Sequence, residues 1–158
     1  MKRGTITFLK LAVFIIWIAV LTMCIYWLPW LGRTTVEMYP GYAHLRLPIL
    51  FGLYVTVIPF TIALYQAFKL LNYIESKNAF SDLAIVSLRS IKNCAIIISA
   101  LYIVGVVFLI IENAMHPGVA MIGFSILFAS LTISFFAAVL QELLRSAFEI
   151  KTENDLTI

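Results

Sequence analysis

An all-α polytopic membrane protein, four transmembrane helices in one bundle, is the fold this sequence predicts, and three observations predict it. Of the residues, 63% are hydrophobic and 12% charged, with a mean hydropathy of +1.03; ordinary globular proteins run near 45–50% apolar and about 25% charged. Four apolar runs, at residues 11–31, 47–71, 91–111 and 119–143, are each long enough to cross a hydrocarbon core of about 30 Å, which takes about 20 helical residues. Strand-like alternation is absent from all four, and in lipid a continuous apolar run satisfies its own amides only as a helix.

The first run follows the basic start MKR, the arrangement of a secretory leader. Its apolar stretch is too long for one and no small-x-small cleavage site follows, so it is expected to stay as a span. LTMC, ending at Cys24, lacks the small residue a lipoprotein box needs, because Met23 stands there. WLPWLG then closes the run: Trp27 and Trp30 suit the interfacial aromatic belt, and Pro29 with Gly32 predicts a helix end near Leu31. The segment RTTVEMYPGYAHLRLP reads as a loop with a turn at Pro40 and Gly41.

The second helix starts at LPIL, where Pro48 is tolerated in a first turn, and carries Pro59 in mid-span. That proline removes one internal hydrogen bond, which predicts a kink eased by the hydroxyls of Thr56 and Thr61. The third helix is expected over 81–111. Ser81 offers a capping hydroxyl and Asp82 a carboxylate at the positive end of the dipole. A helix of that length measures about 46 Å at 1.5 Å per residue, so its first turns extend beyond the apolar slab. On them Asp82, Arg89 and Asn93 share a face, while Leu83, Leu88 and Ile91 lie elsewhere around the axis. The fourth helix carries Ser130, Ser134 and Ala138 at spacing four, a small-residue stripe that serves packing within a bundle or pairing with a second copy. A short polar tail, 144–158, is expected to stay helical for a turn or two.

Lysine and arginine set the expected orientation. Lys2, Arg3, Lys10, Lys69, Lys77, Arg89, Lys92, Arg145 and Lys151 fall on the side of both termini, and only Arg33 and Arg46 on the other. Both termini and residues 75–93 are therefore expected in the cytoplasm, with the chain in the cytoplasmic membrane. The net charge of +3 belongs to this asymmetry and points to a membrane surface rather than to nucleic acid. Cys24 and Cys94 lie at different depths, so no disulfide is expected between them.

Chemistry finds few groups to use. GxSxG, HExxH, a phosphate-binding glycine loop and CxxC are all missing, and Ser125, Ser130 and Ser134 have no intramembrane His or Asp to activate them. Ionisable residues sit at run ends rather than at the midplane that a transporter would use. Glu112 and His116, four apart, with His44 and Glu37 in the preceding loop, make a weak metal-ligand pattern. The expectation is no enzyme, no metal and no cofactor.

Three passages carry a resemblance: LPILFGLYVTVIPFTIALYQAFKLL, NYIESKNAFSDLAIVSLRSIKN and the closing LQELLRSAFEIKTENDLTI. AFS at 79–81 followed by Leu88-Arg89, and the ending ENDLTI, are their most specific pieces. From about Glu37 onward the chain resembles the small bacterial four-helix membrane proteins of the DUF2975 family. The resemblance implies a membrane protein often encoded beside a small Cro-like helix-turn-helix regulator, and it carries no established activity. The functional expectation is thus a non-enzymatic membrane protein that binds or sequesters such a regulator. Its contact residues would be Phe80, Ser81, Asp82, Leu88 and Arg89 with Asn154, Asp155 and Leu156 of the tail. The alternative is a small transport or immunity protein acting within the bilayer, for which the tail is dispensable.

Overall fold

The computed structural model describes residues 3–76 and 81–156. Those residues are helical throughout apart from short connections. Helix α1 (Arg3–Thr22) passes through a π-turn (Met23–Trp27) into α2 (Leu28–Met38); a 3₁₀ turn (Pro40–Leu45) leads to α3 (Arg46–Glu75); then come α4 (Asp82–Ile111) and α5 (Pro117–Leu156). Arg3–Met38, Pro40–Glu75, Asp82–Ile111 and Pro117–Leu156 are each long and apolar enough to cross a membrane.

The first span differs from the helix expected over 11–31. Pro29 does not stop it: the helix runs through the π-turn into α2, and the Cys24 carbonyl that residue 29 cannot serve is met by the Tyr54 hydroxyl of α3. Gly32 does not stop it either: α3 crosses so close that a Cβ at Gly32 would meet Leu50 Cδ1 at 3.2 Å and Arg46 Nε at 3.5 Å. The helix ends at Met38 because Tyr39 precedes Pro40 and leaves the helical region at φ −132°, ψ 73°. The loop expected over 33–46 is thereby reduced to the turn at Pro40–Leu45.

Helix α3 runs through Pro59 without a break, and Pro59 itself is buried. The flanking threonines have other duties than expected. Thr56 Oγ1 donates to the Leu53 carbonyl at 2.6 Å, and Thr61 Oγ1 accepts from the Trp17 indole of α1 at 3.4 Å.

Helix α4 starts on a capped turn: Ser81 is extended, at φ −89° and ψ 160°, and its Oγ accepts from the Ala84 amide at 3.3 Å. Its other end closes in a Schellman motif. Asn113 takes the left-handed conformation at φ 55°, its amide bonds to the Ile110 carbonyl, and the Ala114 amide bonds to Leu109. His116 then caps α5, its Nδ1 accepting the Gly118 amide at 3.0 Å, with Pro117 in the first position.

The helices pack in chain order, α1 on α3, α3 on α4 and α4 on α5, and α4 makes the two most extensive contacts. Its buried residues wrap two sides of the helix: Ala84, Leu88, Ala95 and Ser99 follow the four-and-seven rhythm of one face, and Ile85, Ser87 and Cys94 flank it. On α5 the buried positions are Ser130, Ala137 and Gln141, so the small-residue stripe lies partly within the fold. Cys24 and Cys94 are free, buried thiols.

Candidate functional site

Both chain ends lie at one end of the molecule, here the terminal end, because an even number of spans returns the chain to the side where it began. Two helices run past their apolar stretches there. Helix α4 has twelve residues from Asp82 to Asn93 before its unbroken apolar stretch, and α5 continues for sixteen from Gln141 to Leu156. The sixteen alone amount to about 24 Å of helix. The polar tail expected to fray after a turn or two is therefore helical to Leu156.

One bond sets the register of this pair. Lys92 Nζ donates to Gln141 Oε1 at 3.3 Å, and Gln141 is buried. Ten residues back along α4 lies Asp82, and ten residues on along α5 lies Lys151, so the beginning of α4 stands level with the last turns of α5. The two segments marked out in the sequence are thereby neighbours in space. Lys92 is turned onto an amide of the adjacent helix.

The expected contact residues divide. Asp82 and Arg89 are exposed on α4, Ser81 is half-buried and spent on its cap, and Asn154, Asp155 and Leu156 are exposed on the last turn of α5, Leu156 at 82%. Leu88 points the other way: at 4% exposure it is part of the packing beneath this surface. Phe80 lies outside the described residues. Among the described residues, the exposed side chains around the tip include the carboxylates Asp82, Glu149, Glu153 and Asp155 and the cations Arg89 and Lys151, with Arg145 paired to Glu142 one turn before Glu149.

Next to the pair, α1 is tied to the end of α3. Glu75, the last residue of α3, receives both the Lys10 ammonium and Arg3, whose Nε lies 3.5 Å from Oε1. Lys10 also lies 5.5 Å from the centre of the Phe68 ring. Neither Glu75 nor Gln141 stood out in the sequence as a partner, since each is followed by further polar residues, Ser76 and Glu142, that share its place at the end of an apolar run. Their signal is the matching unpaired cation on another run, Lys10 and Lys92.

At the opposite end, the weak metal pattern comes only partly together. His44 Nε2 lies 3.4 Å from Glu112 Oε2, and the Tyr42 hydroxyl donates to the Asn113 carbonyl at 3.0 Å, so the 3₁₀ turn is pinned to the end of α4. His116 is occupied as a helix cap. Among the described residues no three His, Cys, Asp or Glu side chains are grouped to hold an ion.

Fold and site together define an integral membrane protein whose polar features cluster at the helix ends. Comparison with known proteins places it more closely: the profile described as "Protein of unknown function (DUF2975)" matches residues 30–158, and the chain belongs to that family. It is similar to "Uncharacterized membrane protein YoaS" of Bacillus subtilis (strain 168), with 46% identity over 160 residues that cover 100% of both chains. No solved structure matches it.

Proposed function

We propose that the terminal end faces the cytoplasm of a bacterial cell and that the protruding α4–α5 pair is a docking platform for a small cytosolic helix-turn-helix regulator, held at the membrane without catalysis. The observation that carries this reading is the length of the pair: α5 measures about 60 Å at 1.5 Å per residue, about twice the apolar slab. Nine of the eleven lysines and arginines fall on the terminal side in the sequence, the bias that puts a face in the cytoplasm. The exposed carboxylates Asp82, Glu149, Glu153 and Asp155 complement the basic surface that any DNA-binding domain carries. The kind of partner rests on the family resemblance and on the regulators often encoded beside its members. Asp82, Arg89, Asn154, Asp155 and Leu156 are the proposed contacts, with Ser81 at the edge; Leu88 supports the surface from below.

The test is in-cell crosslinking in the intact chain with a photoreactive residue at Leu83 and, separately, at Leu156, both exposed, followed by mass spectrometry. Capture of one small helix-turn-helix protein at both sites, lost when the chain is stopped after Arg145, is the expected result. Normal insertion with capture of lipid or self alone overturns it and turns attention to action within the bilayer.

A further inference from the structure

Among the described residues, the first span is the one broken by a π-turn, and its helix α1 packs on α3. Its backbone ladder is interrupted at the π-turn, and the interruption leaves one carbonyl without a backbone donor. The Leu28 amide, which in an α-helix would bond to Cys24, bonds instead to Met23 five residues back. The next donor along the chain would be residue 29, and Pro29 has no N–H. The Cys24 carbonyl is therefore orphaned inside an apolar span, where an unmet polar group costs several kcal/mol. The Tyr54 hydroxyl of α3 meets it, donating at 2.8 Å.

The break divides the span into two arms with separate ties. Helix α2 is wedged onto α3 at Gly32, where Leu50 and Arg46 cross it. Helix α1 is held by side-chain polar contacts along its length: Arg3 and Lys10 on Glu75, and Trp17 on Thr61. Single-turn π-bulges and missing ladder bonds are where helices bend.

We propose that the first span is a hinged helix. Helix α1 moves as a unit about the π-turn while α2 stays on α3; the Tyr54 hydroxyl on the Cys24 carbonyl is the catch at the pivot, and the Glu75 clasp holds the swinging tip. Glu75 is also the last residue of α3, so release of α1 frees the end of the helix that leads toward α4. The hinge does not depend on the docking reading, because it is read from distances within the protein.

Pulsed electron–electron distance measurements on the full chain in lipid nanodiscs test it, with Cys24→Ser and Cys94→Ala replacing the native thiols. One spin-label pair spans the tip, at Phe8 on α1 and Leu83 on α4; the other, at Trp30 on α2 and Ile111 on α4, is the reference. All four positions are exposed. In Tyr54→Phe the tip pair is expected to broaden toward longer distances while the reference pair keeps its parental width. Pro29→Ala restores an amide that can reach the Cys24 carbonyl, so adding it to Tyr54→Phe should return the tip pair to the parental distribution. Glu75→Gln, at a half-buried helix end that leaves the packed helices untouched, should loosen the tip pair alone and keeps the test alive if Tyr54→Phe fails to accumulate. Unchanged distances in every variant, or equal broadening of both pairs, would mean that the span is one rod and overturn the hinge.

Discussion

Two neighbours of α3 are held to it by different physics. Helix α4 is gripped on two faces, with Ala84 at 0% exposure and Ser87 at 2%, so small residues let three helices approach closely, as membrane interfaces favour. Helix α1 touches α3 on one side and relies on four polar ties spread from its first turn to the π-turn. Lipid tails compete with apolar side chains on equal terms, so packing without voids holds a helix firmly, while hydrogen bonds contribute a modest amount each and set its position. The lesson is that a shared bilayer and similar hydropathy do not make equivalent helices. One arm of this protein is framework, and another is attached to it.

The comparison breaks most severely at Ala84. Ala84→Leu adds bulk where none is accommodated and should lower stability by about 1–3 kcal/mol, seen as a lower unfolding midpoint in mild detergent; Ala19→Leu on the exposed side of α1 should change it by less than about 0.5 kcal/mol. Equal losses would show that α1 is as tightly packed as α4. Next comes the cap. Ser81→Ala removes the acceptor for the Ala84 amide and should cost about 1 kcal/mol, with faster hydrogen exchange confined to the first turn of α4; unchanged exchange there would mean that packing, not the cap, sets where the helix begins. The smallest effect is expected at a polar tie. Thr61→Val strips the acceptor from the Trp17 indole and should cost about 0.6 kcal/mol, the average for such bonds in a bilayer, with protease sensitivity rising in α1 and not in α4. A loss as large as that of Ala84→Leu would erase the distinction between the two helices.

The candidate platform was partly legible. Asp82 and Arg89 are exposed helix residues as their charges suggest, because a charged group on a protruding turn has water to reach. Leu88 was not legible: one leucine in a loosely amphipathic turn carries no mark of whether a neighbouring helix will cover it, and in the structure it is buried. The length of α5 was missed for a similar reason. RSAFEIKTENDL has the polarity of a tail, and in the structure it remains helical to Leu156.

By itself the sequence determined the solvent. Sixty-three percent apolar residues in four long runs demand lipid and helices, since no other backbone arrangement of this composition satisfies its amides there. It also determined that α4 begins at a serine, because caps are local chemistry. Tertiary structure alone decided which polar residues meet. Tyr54 finds the Cys24 carbonyl across thirty residues, Glu75 finds Lys10 across sixty-five, and Gln141 finds Lys92 across forty-nine. Such pairs depend on the depth and rotation at which two helices come to rest. Those are set by the packing of whole faces, which no single run of sequence contains.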